Sequence, residues 1–356
     1  MSARPQPPRA TITQVAQLAG VSISTASKAL SGKGHVNPVL DERVRAVAQQ
    51  LGYSPHVLAQ ALRTGRARIL GLQVAMVTHY TTAAICEGVL AAAYAQDYAV
   101  AMCSTQQRSE VEHKHLEALA RQRVAAVIAL PLSRDAGPYL DLQAKGIPVV
   151  FMQRRPAGVE ADLVASDYGV GTLEAIRHLL STRRRRVALL APASTYGSNE
   201  DRAAAYGRAH AEAGVPVPEG LICFSPRNAR EAYAATRDLM GYSQPPDAIV
   251  AAGSEIVTPA LACLSDLGVA VPGDVAFVGA GDVEWARLAG PSLTMIEIDG
   301  REIGRLAVQL ALERLTPEGR DLPVREVRLP TNLIVRASSG RAHAALQAAG
   351  GPGVRG

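Results

Sequence analysis

At 356 residues, 48% apolar and 19% charged, the chain is long enough for two or three globular cores, and with aromatics at 4% those cores must be aliphatic. The opening MSARPQPPRA has no apolar stretch of the kind a secretory signal needs, and no apolar run is long enough to span a bilayer, so a cytoplasmic protein with no membrane partner is expected. Charge is uneven: residues 1–68 hold nine Lys or Arg against two Asp or Glu while the whole chain carries +5, so a basic head precedes a slightly acidic body, the footprint of a nucleic-acid-binding segment.

Residues 1–10, rich in Pro and Arg, read as a disordered tail. Thr11 and Gln14 have capping-box spacing, and Ile12, Val15, Ala16 and Ala19 give a first helix one apolar face before Gly20 ends it. Ser22 is the N-cap candidate of a second helix, Ile23 to Leu30, which turns Ala26, Ala29 and Leu30 inward and leaves Ile23, Ser24, Ser27 and Lys28 outward. After the loop SGKGHVN, Asn37 and Pro38 open a third helix that carries Val44, Val47, Ala48 and Leu51 inward and stops at Gly52. Two short helices joined by a Gly-containing turn and braced by a third predict an all-α helix-turn-helix domain over residues 11–54. In such a motif the second helix enters the major groove. Lys28 is placed to donate to a guanine edge and Ile23 to pack on a thymine methyl, while Thr25 and Ser27 could instead bond phosphates. Residues 55–66, bounded by Pro55 and Gly65, predict a short helix that is marginal in isolation.

From Ile69 the texture changes. Near-continuous apolar runs (ILGLQVAMV, YAVAMCS, VAAVIALPL, PVVFMQ, VALLAP, LICF, DAIVAAG, DVAFVGA) alternate with amphipathic helices, four units on each side of about residue 165. This predicts an α/β body of two doubly wound parallel sheets, followed by a helix at about 301–315 and the strands REVRLP and TNLIVRAS. The segment from about Ser338 is Gly- and Ala-rich and has no leucine heptads, so a frayed tail over 339–356 and a dimer rather than a tail-driven tetramer are expected. Cys86, Cys103, Cys223 and Cys263 are too far apart for a zinc or redox motif and read as buried free thiols. VGAGD at 278–282 lacks the third glycine of a dinucleotide fingerprint, the Arg183–Arg186 run reads as a solvated loop, and no catalytic or metal-binding constellation stands out. Neither an enzyme nor a cofactor is therefore expected. A solute-binding protein or an enzyme on the same body would have no use for residues 11–65, and a secreted binding protein would need a signal peptide.

The run ITQVAQLAGVSISTASKALSGKGHVNPVLDERVRAVAQQLGYSPHVLAQALRTGRARILGL resembles the head and hinge of the LacI/GalR family of bacterial repressors, and DYGVGTLEAIRHL, PSLTMIEID and TNLIVRASS resemble runs of its body. The resemblance implies a homodimer on a pseudo-palindromic operator, a two-lobed periplasmic-binding-protein-like body, and a small-molecule effector in the cleft between the lobes. It places a hinge helix at 55–66 in the minor groove, with Leu62 as a wedge in the central base step and Ala59 one turn earlier. Thr11, Ser22, Ser24, His35 and Asn37 join Ile23, Thr25, Ser27 and Lys28 as the expected DNA-contacting set. For the body it implies one domain over 67–338, with a first lobe at about 67–164 and 296–323 and a second at about 165–293 and 326–338. Effector positions fall on His79, Tyr80, Gln153, Arg202, Gly253 and Asp282. Arg202 matches the arginine the family uses to grip hydroxyls or carboxylates, and Asp282 the second acid of the family's pair. Gly281 replaces the first acid, Gly253-Ser254 replaces an Asn-Asp, and Gln153 stands where an Asp often occurs. A sugar site needs several such groups for its hydroxyls, so these departures weigh against a simple carbohydrate and leave open a remade pocket or a regulator without effector response.

Overall fold

The computed structural model describes residues 10–31, 36–51, 53, 68–193, 198–224 and 226–340. Residues 1–9 of the tail expected over 1–10, His35, Gly52, the hinge with Ala59 and Leu62, and the segment after Gly340 lie outside them. The chain divides at Arg68 into two compact units, a helical head and an α/β body.

The head has three helices, α1 (Ile12–Leu18), α2 (Ile23–Ser31) and α3 (Pro38–Gln50). Thr11 and Gln14 form the capping box reciprocally: the Thr11 side chain accepts from the Gln14 amide, and the Gln14 side chain accepts from the Thr11 amide at 2.8 Å. Asn37 caps α3 by accepting from the Val39 amide, and Pro38 holds the first helical position. Val15, Ala16, Ala19, Ala26, Ala29, Val44 and Ala48 close a core of small aliphatic side chains. Arg45 of α3 ties the helices together by donating to the Ala29 carbonyl at 2.8 Å while paired with Asp41 at 2.7 Å.

The body contains two six-stranded sheets. The first lobe comprises β1 (Ile69–Val74), α4 (Tyr80–Ala95), β2 (Ala99–Ser104), α5 (Ser109–Arg121), β3 (Ala126–Ala129), α6 (Gly137–Ala144), β4 (Val149–Met152) and β5 (Asp162–Ser166). The second comprises α7 (Tyr168–Ser181), β6 (Val187–Leu190), α8 (Ser198–Ala213), β7 (Ile222–Cys223), α9 (Ala229–Met240), β8 (Ala248–Ala251), α10 (Ser254–Asp266), β9 (Ala276–Ala280) and β10 (Thr294–Glu297). The chain then returns through α11 (Gly300–Glu313), the short α12 (Pro317–Arg320), β11 (Glu326–Leu329) and β12 (Asn332–Ile334). Strand orders are β2-β1-β3-β4-β5-β11 and β7-β6-β8-β9-β10-β12, the same doubly wound order twice. All pairings are parallel except β10 with β12, so the second sheet ends in an antiparallel edge. Strands such as VALL and AIVA are buried along their whole length, because helices cover both faces.

Three sequence expectations change here. β5 and β10 are strands additional to the ten predicted, the eight runs and the two late strands. β11 pairs with β5 and so belongs to the first lobe, not to a second-lobe segment over 326–338, while β10 pairs with β9 and keeps 294–297 in the second. The reason is that the chain crosses between lobes three times, at 166–168, 298–299 and 330–331, and each strand joins the sheet that covers its apolar face. The tail does not begin at 339: Ser338 and Ser339 are fully buried, Ser338 donates to the Phe277 carbonyl at 2.7 Å, and Ser339 meets Thr294 at 2.7 Å and His178 at 2.8 Å.

Two further expectations are corrected. Cys86 and Cys263 are buried, but Cys103 and Cys223 are half-buried; burial pushes the Cys86 thiol up to about 11. The arginine run is a structural clamp rather than a solvated loop. Arg184 donates to the carbonyls of Asp247, Asp274 and Pro272, Arg186 to that of Pro245, and the Asp247 carboxylate accepts from the amides of Arg185 and Arg186. No helix among the described residues is long and apolar enough to cross a membrane.

Candidate nucleic-acid interface and effector cleft

α2 separates its residues cleanly. Ala26 and Ala29 are buried, Ile23, Ser24 and Lys28 are exposed, and Thr25 and Ser27 lie between. Ile23 is 51% exposed, an apolar side chain turned to solvent at the start of a helix that already has an inward face. The Ser22 hydroxyl accepts from the Thr25 amide at 3.0 Å, capping the helix, and lies 2.8 Å from the hydroxyls of both Ser24 and Thr25. The first turn of α2 is thus a pre-arranged row of hydroxyls beside one apolar and one cationic side chain. Thr11 and Asn37 are exposed at the starts of α1 and α3, where helix N-termini favour phosphate oxygens, with their side chains engaged in capping.

In the body, the expected effector residues gather at the carboxyl ends of the strands of both sheets, where doubly wound folds bind ligands. His79 and Tyr80 start α4 after β1. Gln153 follows β4 with φ +63, and exchanges two hydrogen bonds with Ser166: its amide nitrogen donates to the hydroxyl at 3.1 Å and its oxygen accepts from the Ser166 amide at 2.9 Å. Across the cleft, Gly253 starts α10 after β8, Asp282 follows β9, and Arg202 lies in the first turns of α8. The Arg202 guanidinium is buried and stacks over the Tyr168 ring with its carbon 4.2 Å from the centroid. Burial pushes its pKa down, opposed by the charges of Tyr168, Glu255 and Asp201, and burial likewise pushes the Tyr168 hydroxyl up. Asp282 accepts from both terminal nitrogens of Arg336, at 2.7 and 2.9 Å, so its charge is neutralised within the second lobe.

The lobes touch over this floor. A Cβ at Gly281, where φ is +82, would sit 3.5 Å from Tyr80, 3.3 Å from the Thr81 hydroxyl and 3.2 Å from Ser254. Burial, then the charges of Asp282 and Glu284, raise the Tyr80 hydroxyl's pKa. Beside the cleft, Arg328 of β11 pairs with Asp201 of α8 at 3.4 Å. Sequence reasoning missed Tyr168, Ser166, Glu255 and Thr81. Tyr168 carried a usable signal, since it follows Asp167, the N-cap of α7, at the point where the chain changes lobe.

Residues 11–56 match the family described as bacterial regulatory proteins, lacI family, and residues 176–339 match the periplasmic binding protein-like domain. The HTH-type transcriptional regulator PtxS of Pseudomonas plecoglossicida is 30% identical over 93% of this chain and 96% of its own length. The chain belongs to the LacI family of bacterial regulators. The transcriptional repressor PurR of Vibrio campbellii is 26% identical over 90% of this chain and 96% of its own. A solved complex of the transcriptional regulator CelR with cellobiose is 29% identical over 93% of this chain and all of that one, with a TM-score of 0.69. A lac repressor dimer bound to operator and an anti-inducer shares the fold, with a TM-score of 0.80 at 21% identity over 93% and 99% of the two chains. The LacI-family chain described here is accordingly a sequence-specific DNA-binding transcriptional regulator and not an enzyme.

Proposed function

We propose that this regulator is a cytoplasmic repressor that binds a pseudo-palindromic operator as a homodimer and releases or tightens its grip when a small molecule occupies the interlobe cleft. The observation that carries the reading is the outer face of α2, where Ile23 and Lys28 are exposed opposite a fully buried Ala26. On this reading Ile23, Ser24 and Lys28 meet base edges, Thr25 and Ser27 bond phosphates, and Thr11, Ser22, His35 and Asn37 complete the DNA-contacting set. Leu62, with Ala59, acts as the minor-groove wedge. His79, Tyr80, Gln153, Arg202 and Gly253 line the effector site, and Asp282 holds its wall through Arg336. Cleft closure would then change the spacing of two heads, which is allostery in the sense of unequal ligand affinity for two states.

The test is selection of bound duplexes from a random-sequence pool by the full-length protein. An inverted repeat should emerge. Lys28→Ala should relax preference at one or two base pairs per half-site, each by about 1–3 kcal/mol. A pool that stays random overturns the sequence-specific reading, and equal weakening across all sequences reassigns Lys28 to a phosphate.

A further inference from the structure

The head holds a cation that its own fold does not use. Lys28, Arg43 and Arg45 are the Lys and Arg side chains among its described residues. Val44 and Ala48 turn one face of α3 into the core, and the arginines on either side of Val44 leave along opposite rims of that face. Arg45 runs to the end of α2, where it donates to the Ala29 carbonyl while paired with Asp41. Arg43 runs the other way. Its Nη2 lies 3.7 Å from the Cβ position of Gly20, the turn residue between α1 and α2. Arg43 is exposed, and among the described residues it makes no hydrogen bond or ion pair.

A cation at this turn is also beside the carboxyl end of α1, where the helix dipole favours positive charge. The carbonyls there are already served by the backbone. Val15 accepts from the Ala19 amide, Ala16 from that of Val21 and Gln17 from that of Gly20, at 2.9, 3.0 and 3.2 Å. Arg43 bonds none of them.

DNA supplies the missing partner. On the proposed reading α2 lies in the major groove. That groove is about 12 Å wide and a helix with its side chains about 10–12 Å across, so α2 fills it. Gly20 stands three residues before Ile23, at most about 11 Å along the chain. A guanidinium held over Gly20 is therefore outside the footprint of α2 and level with the groove wall, which presents phosphate oxygens rather than base edges.

We propose that Arg43 is a further DNA contact, holding a backbone phosphate beside the start of α2. The inference rests on α2 being the helix that reads the groove. Arg43 adds affinity and fixes register without reading sequence. Arg45 does not share the role, because its guanidinium is committed to Asp41 and the Ala29 carbonyl.

Binding of the full-length protein to two labelled duplexes, one from the selection above and one of scrambled sequence, is titrated between about 50 and 200 mM salt. Each phosphate neutralised contributes about 0.9 to the slope of log affinity against log salt. Arg43→Gln should lower that slope by about 0.9 for each head engaged, and weaken both duplexes by the same factor. Arg43→Lys keeps the point charge and should restore most of the slope. Urea unfolding of Arg43→Gln should match wild type, as expected of a side chain that bonds nothing in the head. A lower urea midpoint with an unchanged slope makes Arg43 a partner of the α1 terminus and overturns the proposal. Weakening of the selected duplex alone makes it a base contact, which overturns the phosphate and leaves α2 in the groove. If the selection yields no preferred duplex, the groove-reading role of α2 fails, whereas a slope that still falls on the scrambled duplex upholds Arg43 as a phosphate contact.

Discussion

Asp162 lies fully buried at the start of β5, where burial alone would raise its pKa. Hydrogen bonds reverse that. Arg314 donates to it at 2.7 and 2.9 Å, and Arg325 adds its amide at 2.8 Å and a guanidinium nitrogen at 3.3 Å, which together hold the carboxyl below its ordinary 3.8. Arg314 also donates to the carbonyls of Gly319 and Pro323, so one carboxylate fixes the end of α11, the following turn and the entry to β11. Because the folded value is depressed, the stabilisation is fully present above the unfolded value and is lost as pH falls below 3.8 towards the folded one. Asp162→Asn should destabilise the body by about 3–5 kcal/mol, since Arg314 then stays buried without its counter-charge. It should also flatten the acid limb of a stability-against-pH curve. Urea titrations from neutral to acid pH check both, and an unchanged acid limb would sink the assignment. None of this was legible beforehand. Asp162 and Arg314 are far apart in sequence, and a single buried pair leaves no periodic mark. Residues that act through local spacing, such as Thr11 with Gln14 or Asn37 with Pro38, were legible because cap and partner lie within one turn.

Elements follow the same division. The helices of the head and the eight strands first counted announce themselves through apolar period and end signals. β5 and β10 do not, because DLVAS and TMIE are short and their burial comes from neighbours that the chain reaches only after a lobe crossing. The contact between α4 and α11 is another feature that spacing conceals. A Cβ on Gly88 would strike the Arg301 carbonyl, one on Gly304 the Ile85 carbonyl and the Val89 amide, and one on Gly300 the Thr81 carbonyl at 2.9 Å. These helices lie backbone against backbone, and glycine is required by closeness rather than by φ. Gly304→Ala sets two effects against each other. Helix propensity would favour Ala by about 1 kcal/mol, whereas overpacking costs about 1–3 kcal/mol, so a net loss is expected. Gly207 of α8 has nothing within 4 Å of its Cβ position, and Gly207→Ala should stabilise by about 1 kcal/mol. Opposite shifts of the urea midpoint for the two variants bear out the close approach; shifts of the same sign refute it.

At the scale of the whole body, the chain crosses between the lobes three times, and the closure that the proposed function requires would be decided by what meets across the cleft. The Arg328–Asp201 pair is about half exposed on both sides and contributes only about 0–1 kcal/mol. The tighter constraint is steric, at Gly281. A side chain there meets Tyr80 and Thr81 of one lobe and Ser254 of the other, so Gly281→Val should prop the cleft open. Valine at φ +82 is also strained by about 1–2 kcal/mol, an effect separate from wedging. Gly158 isolates that strain: its φ is +80 and nothing lies within 4 Å of its Cβ position. Gly158→Val should therefore lower stability while leaving the solution scattering profile and effector affinity as in wild type. Gly281→Val should show a comparable stability loss together with a larger radius of gyration. It should also weaken effector binding in proportion to the lost closed fraction, since apparent affinity scales with the population able to bind. Superimposable scattering from the two variants would mean that Gly281 serves only its own backbone turn, and that closure is governed elsewhere along the cleft.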